Sequence, residues 1–306
     1  MQRLLFSARR KLFTARELRP KPHLDDKVLV SWNGLMITAF ARTYQVLGDD
    51  QYLCSAERTA QFILDKLYDA RTEKLLRRYR DGEARFDANL EDHAFFIQGL
   101  LDLYESSFEI QWLQTAIALT DRQNNIFYDR EHGGFYDTPA GDSSLLIRTK
   151  ETYDGAEPSG NSIALLNLLR LAQMTDNRGW REMVNKSFEY FSASLANNPQ
   201  PMAQFLVALD MYLSSPQEII VAGEASDART QTLLREVYSR FLPNKILLLA
   251  DGGKGQEMLT SFLPSIKDMG MINGDPAAYI CENYACQLPT SDKVQLRQLL
   301  DKARKQ

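Results

Sequence analysis

Cysteine and histidine are scarce: 306 residues contain three of each, so the side chains that staple small folds or hold transition metals are nearly missing. Cys54, Cys281 and Cys286 are too few and too unevenly spaced for a disulfide framework. They read as buried or half-buried thiols and favour a reducing compartment. No His-Glu-x-x-His, close Cys/His group or Cys-x-x-Cys occurs, so neither a metal nor a redox pair is expected. Gly-x-Ser-x-Gly is absent as well. Asp251-Gly-Gly-Lys-Gly255 lacks the spacing and following Ser/Thr of a phosphate loop and reads as a turn, which leaves no cofactor to predict. No apolar run approaches the ~20 residues of a membrane-spanning helix. Positive charge is not in excess either. The net charge of −4 and pI of about 5.6 give no basic field for nucleic acid or an acidic membrane.

Acids are missing from one place, the first 16 residues, Met1 to Arg16, which are basic and amphipathic. Two readings fit. One is an organellar targeting segment. The other, preferred with a cytoplasmic location, is a helix with a stripe of Leu4, Leu5, Ala8, Leu12 and Ala15 that ends before Arg19-Pro-Lys-Pro22.

With 44% hydrophobic and 25% charged residues, the remainder is ordinary globular material with room for one large or two smaller domains. Apolar residues recur at helical spacing from Val28 to Leu47, predicting a mostly buried helix, and Gln51 to Asp69 predicts a two-faced one. Asp81-Gly82 marks a hairpin between Lys74–Arg80 and Glu83–Phe86. The alternation then repeats. Leu90–Glu105 is apolar nearly all round and Ile110–Asn124 two-faced; Pro158–Met174 and Trp180–Leu195 form a third pair, and Met202–Leu213 a further buried helix. A second hairpin is expected from Gly133–Asp137 to Leu145–Lys150. Helices apolar on all sides must be covered on all sides, so an inner ring wrapped by two-faced helices is predicted. Too few helices precede Pro216 to close such a ring, so exposed apolar surface is expected at its gap. After Pro216, Glu218–Ala222, Ala228–Phe241 and Lys245–Ala250 read as β-α-β, with Ala277–Cys281 as a further strand. The predicted organisation is a partial α/α barrel over 1–215 and a small α/β segment over 216–306 packed on it.

Three acid-rich junctions precede the inner helices: Asp25-Asp26-Lys27 ahead of Ser31-Trp32-Asn33-Gly34, Glu91-Asp92-His93 after Asn89, and Tyr153-Asp154-Gly-Ala-Glu157-Pro-Ser159-Gly-Asn161. In a toroid these share one rim. A rim of carboxylates, Trp and amides suits sugars, because aromatic faces stack on apolar sugar faces while acids and amides bind hydroxyls. Paired acids also cleave glycosides, one protonating the leaving oxygen while the other attacks or activates water. The competing reading is structural: Asp25, Asp26, Glu91 and Asp154 cap helices and pair with Arg78, Arg80, Arg148 and Lys150. Asp154 and Glu157 are expected to matter more to ligand handling than to folding. His93 is either an acid/base group or a satisfied structural histidine. His23, beside Asp25-Asp26, leaves a two-histidine epimerase mechanism open, and His132 looks structural.

The segments RPKPHLDDKVLVSWNGLMITAFA, NLEDHAFFIQGLLDLYE, GGFYDT, RTKETYDGAEPSGNSIALLNLLRLA and PAAYICENYACQLP together resemble the YyaL-type, or spermatogenesis-associated protein 20-like, family. The resemblance implies a barrel of the six-hairpin glycosidase type, akin to N-acylglucosamine 2-epimerases, downstream of a thioredoxin-like domain that would be encoded upstream of this chain. The family has no settled reaction; the rim residues and the fold analogy together point to carbohydrate as small-molecule partner, with hydrolysis or epimerisation as the reaction, or else to a non-catalytic domain that binds sugar or its thioredoxin-like neighbour. Asp25, Asp26, Lys27, Trp32, Asn33, Glu91, Asp92, Asp154, Glu157, Ser159 and Asn161 carry over from its motifs, whereas His93 stands where the family has Tyr. Lys27, Trp32, Asn33, Arg148, Lys150, Tyr153, Ser159 and Asn161 are the expected substrate-binding set around the catalytic candidates Asp25, Asp26, Glu91, Asp92, His93, Asp154 and Glu157.

Overall fold

The structure is a computed structural model that describes residues 1–141, 146–214, 216–282 and 285–303. It begins with helix α1 (Gln2–Glu17), strand β1 (Val28–Leu29) and helices α2 (Val30–Leu47) and α3 (Asp50–Lys66). Strands β2 (Tyr68–Asp69), β3 (Lys74–Arg80) and β4 (Glu83–Asp87) follow, then α4 (Leu90–Ser107), α5 (Ile110–Phe127), α6 (Gly160–Thr175), α7 (Arg178–Asn197) and α8 (Ala203–Leu213). The last part runs β5 (Gln217–Ala222), α9 (Ala228–Tyr238), β6 (Lys245–Ala250), α10 (Lys254–Phe262), β7 (Ala277–Glu282), β8 (Ala285–Cys286) and α11 (Lys293–Ala303). Among the described residues no helix is long and apolar enough to cross a membrane.

The helices obey the predicted alternation. α2, α4, α6 and α8 pack side by side as an arc, and α3, α5 and α7 lie outside α2, α4 and α6. α4 is buried from Leu90 to Ser106 with the exception of Glu91, and α6 along nearly its whole length, because each has an inner neighbour on both flanks and an outer helix behind. α2 and α4 approach backbone to backbone through glycines: a Cβ on Gly34 would lie 2.5 Å from the Phe95 carbonyl carbon, and one on Gly99 would lie 2.9 Å from the Gly34 carbonyl oxygen.

α2 corrects the expectation of a mostly buried helix, and so does α8, where only Phe205, Ala208 and Met211 are buried. In α2 only Val30, Ser31, Gly34, Ile37, Ala41 and Tyr44 are buried, because α4 flanks one side and no described inner helix flanks the other. Trp32, Met36, Val46 and Leu47 are exposed on α2, as are Leu206, Val207, Tyr212 and Leu213 on α8 at the other end of the arc. The expected apolar gap is therefore present at both edges. α1 keeps no residue buried, its apolar stripe included.

Asp81 and Gly82 both take positive φ, 53° and 81°, and close the β3–β4 hairpin in the predicted register of Arg80 opposite Glu83. The second predicted hairpin does not form a ladder among the described residues, and residues 142–145 of it lie outside them. Instead Tyr128 bridges Phe135, and the Asp137 N–H donates to the Thr149 carbonyl at 2.9 Å. The C-terminal part is a sheet ordered β6-β5-β7-β8, parallel between β5 and β6 and antiparallel elsewhere. It sits on the ends of the inner helices away from their starts: the Tyr238 hydroxyl donates to the Glu105 carbonyl at 2.7 Å, Lys245 pairs with Glu105 at 3.1 Å, and Arg235 reaches the Tyr44 carbonyl at 3.1 Å.

Cys281 and Cys286 correct the thiol expectation, since they are joined as a disulfide. The reason is register. They face each other across the β7–β8 pair, which spacing alone does not reveal. Cys54 is a free, exposed thiol.

Candidate active site at the helix-start rim

The starts of α2, α4 and α6 meet at one rim and enclose a cavity of about 620 Å³. Its walls are Trp32 and Leu35 from α2, Asn89 and Glu91 from the start of α4, Asp137 and Glu151 from the loop between α5 and α6, and Tyr153 to Gly160 apart from Asp154. Two of the lining side chains are exposed aromatics, Trp32 at 59% exposure and Tyr153 at 63%. The Trp32 indole N–H donates to a Glu157 oxygen at 3.0 Å, which fixes the ring and ties α2 to the α6 loop.

Of the residues predicted from sequence, Trp32, Glu91, Tyr153, Glu157 and Ser159 line this cavity. The rest work around it. Asp92 is fully buried beneath the rim, where it accepts from the Asn89 N–H at 3.0 Å and the Ser31 N–H at 3.2 Å, closing the capping box of α4 and stitching α2 to it. Burial pushes its carboxyl up to about 6 against the pull of Arg77 and these N–H groups. His93 is buried, with Nδ1 3.1 Å from the Asn89 carbonyl and its ring edge-on to Phe127; burial lowers its pKa to about 4, a neutral structural histidine outside the cavity walls.

Asp154 lies behind the wall. One of its oxygens accepts from the Ser159 N–H at 2.8 Å, and the other from the N–H groups of Gln204 at 2.8 Å and Phe205 at 3.0 Å. Ser159 in turn caps α6 by accepting from the Ser162 N–H at 3.2 Å. Asn161 is buried and exchanges both hydrogen bonds with the Phe135 backbone, at 2.7 and 2.8 Å, while also donating to the Glu151 carbonyl at 3.0 Å. It positions the Glu151 segment rather than a ligand. Asn33 donates to the Leu29 carbonyl at 2.7 Å within its own helix start.

Arg148 and Lys150 do not line the cavity. Arg148 stacks over Tyr136 at 4.1 Å and donates to the Thr138 carbonyl at 2.6 Å; Lys150 donates to Asp129 at 2.8 Å and the Gly133 carbonyl at 2.6 Å. Burial opposes ionisation of Asp129, yet Lys150 and the N–H groups of His132 and Glu131 hold its carboxyl well below the usual range. Asp25 and Lys27 pair with each other at 3.1 Å, and Asp26 pairs with Arg80 at 2.8 Å, outside the walls. The predicted acid-to-Arg78 pairing is replaced by Arg77, 2.8 Å from Glu91, because successive strand residues point to opposite faces; Arg78 lies over Phe86 at 5.0 Å.

Sequence reasoning missed Asp137 and Glu151 as site residues. Asp137 is half-buried; burial raises its pKa although the Thr149 hydroxyl at 2.7 Å and the Glu151 N–H at 3.1 Å donate to it. Glu151 is exposed beside it. Both fall inside the GGFYDT and RTKETYDG segments, so the signal was a motif that carried unassigned acids.

The architecture is that of a partial α/α toroid, an arc of inner helices backed by outer ones, with a small α/β part. No protein-family profile matches the chain. By sequence it is similar to spermatogenesis-associated protein 20: the human protein is 37% identical and the rat protein 36% identical, each over 97% of this chain and 39% of the relative. An uncharacterized protein of Caenorhabditis elegans is 32% identical over 95% of this chain and 40% of its own length. The chain thus spans about two-fifths of the curated relatives it matches. Among solved structures it is similar to the cellobiose 2-epimerase of Bacillus thermoamylovorans (12% identity, 87% of this chain and 68% of that one, TM-score 0.49). It is also similar to a family 76 α-mannanase of Bacteroides thetaiotaomicron (16% identity, 71% and 59%, TM-score 0.49).

Proposed function

We propose that the rim cavity binds a carbohydrate and performs acid/base chemistry on it, as glycoside hydrolysis or sugar epimerisation. The observation that carries this reading is the lining itself: two exposed aromatic side chains, Trp32 and Tyr153, with the carboxyl groups of Glu91, Asp137, Glu151 and Glu157 around a cavity of about 620 Å³. That volume lies within the range of small-ligand sites, roughly 300–1,000 Å³. Aromatic faces take the C–H side of a pyranose, and carboxylates accept from its hydroxyls. Asp137, whose proton affinity is raised by burial, is suited to donate a proton, and exposed Glu151 or Glu157 to take one or to attack the anomeric carbon.

The test pairs a panel of aryl glycosides, read by release of the aryl alcohol, with reducing sugars in deuterated water, read by proton NMR as deuterium uptake at the carbon next to the carbonyl. Turnover in either arm that is lost in Asp137→Asn is the expected result. Absence of turnover and of sugar binding in both arms would refute the reading.

A second reading has its own support. The apolar faces left open on α1, α2 and α8 favour a domain that works beside another folded unit, such as the thioredoxin-like domain the family resemblance implies. Under that reading the cavity binds sugar through Trp32 without turning it over.

A further inference from the structure

We infer that the preferred ligand of the rim cavity is a sugar bearing a free, protonated amino group; this rests on the carbohydrate reading above. Four carboxyl groups line the cavity, those of Glu91, Asp137, Glu151 and Glu157, and no Lys, Arg or His is among the described lining residues. Among the described residues, Glu91 alone of the four forms an ion pair, with Arg77 at 2.8 Å, while Arg148 lies near enough to Asp137 for their charges to attract without pairing. Glu157 is held by the Trp32 indole, Glu151 accepts from the N–H groups of Thr152 and Tyr153, and Asp137 accepts from Thr149 and the Glu151 N–H. The neighbouring cations are committed elsewhere: Lys150 to Asp129 and the Gly133 carbonyl, Arg148 to the Thr138 carbonyl and the Tyr136 ring, Lys27 to Asp25 and Arg80 to Asp26.

The helix starts do not reverse this balance. Each contributes about half a positive charge. Buried Asp92 takes the Asn89 N–H at the start of α4 and the Ser31 N–H at the start of α2, and at α6 the Ser162 and Ser159 N–H groups are taken by Ser159 and Asp154. The cavity therefore repels anions. Its two aromatic walls act in the same direction independently of the acids, because the negative face of an indole or phenol ring attracts an ammonium group. Hydroxyls satisfy acids and rings only in part, whereas an ammonium group satisfies both.

The test measures affinity of the 306-residue chain for D-glucosamine, D-glucose, N-acetyl-D-glucosamine and D-glucuronate by titration calorimetry near neutral pH. The expected result is glucosamine at least ~10-fold tighter than glucose or N-acetylglucosamine, with glucuronate weakest. The advantage should shrink at about 0.5 M NaCl, where the Debye length is a few ångströms. In the double variant Glu151→Gln/Glu157→Gln the glucosamine-to-glucose ratio should fall toward one. Equal affinities for glucosamine and glucose, or a preference for glucuronate, would overturn this inference and leave the carbohydrate reading standing. No binding of any of the four sugars would overturn both.

Discussion

Asp154→Asn and Glu157→Gln, three residues apart in one loop, should have opposite consequences. The Asp154 carboxylate takes three backbone N–H groups, one from Ser159 and two from the first turn of α8, where Met202 supplies no side-chain cap. An amide has one acceptor oxygen. Whichever way the substituted side chain turned, its NH₂ would face at least one of those donors, and the remaining bonds would lose their charge. Losing a charge-assisted bond and leaving a donor unmatched costs about 2–4 kcal/mol. At roughly 2–3 °C per kcal/mol for a chain of this size, the melting temperature should fall by about 4–12 °C. Glu157, by contrast, accepts only from the Trp32 indole at the surface among the described residues, and Gln can keep that bond. Its melting temperature should stay within about 1 °C, a change of ~0.5 kcal/mol or less. Sugar binding should respond the other way, weakened by Glu157→Gln and unchanged in the folded fraction of Asp154→Asn. Thermal melts by circular dichroism and calorimetric titration of the same samples decide it. An Asp154→Asn protein that melts like the parent, or one that folds but loses sugar binding, would refute the assignment of Asp154 to the frame.

The sequence led to a different pairing, Asp154 with Glu157 as joint ligand-handling acids, and the failure is instructive. The partners that separate the two roles lie far along the chain: Trp32 is 125 residues from Glu157, and Gln204 is 50 residues from Asp154. Local pattern shows that a helix starts at Ser159 and cannot show which distant helix start the same loop must also serve. The α2–α8 framework was legible because the outer helices carry a one-sided apolar period, while α4 and α6, covered on all sides, are apolar nearly all round. Gly34 in the Ser-Trp-Asn-Gly motif was legible as a motif residue, but its reason, the contact with the Phe95 backbone, needs the α2–α4 packing.

The acids of the cavity divide along the same line. Glu91 and Glu157 sit next to helix starts and could be found by looking there. Asp137 and Glu151 are carried by an irregular segment with no period, brought to the rim by the Asn161 clamp and by the Asp137 carbonyl, which accepts from the Leu90 N–H at 3.0 Å. Arg77 was displaced by one position for a related reason: strand parity is set by which face of β3 packs against α2 and α4, not by the composition of Arg77-Arg78.

Further outcomes are expected. Gly34→Ala should destabilise by ~3 kcal/mol or more or prevent folding, since its Cβ would meet unyielding backbone at 2.5 Å; urea unfolding within ~0.5 kcal/mol of the parent would contradict the close α2–α4 approach. Asn161→Ala removes three hydrogen bonds that hold the Phe135 and Glu151 backbones, so it should cost about 2–4 kcal/mol and weaken sugar binding with it; loss of binding at full stability would instead make Asn161 a ligand contact. Acid titration separates His93 from its neighbour Asp92. The Asp92 carboxyl is raised from 3.8 to about 6 in the fold, so the folded state binds that proton more tightly, and this group adds stability as pH falls through about 6. His93 is lowered from 6.5 to about 4, so the unfolded chain takes up its proton first, and stability is lost as pH falls between those values. The two nearly offset each other in the parent. His93→Gln removes one side of that balance, so the stability of the parent relative to the variant should drop by about 2 kcal/mol between neutral pH and pH ~4.5, read from urea midpoints at each pH. Parallel pH profiles for parent and variant would mean that His93 is not held neutral in the fold, and that its ring has access to water or to the rim.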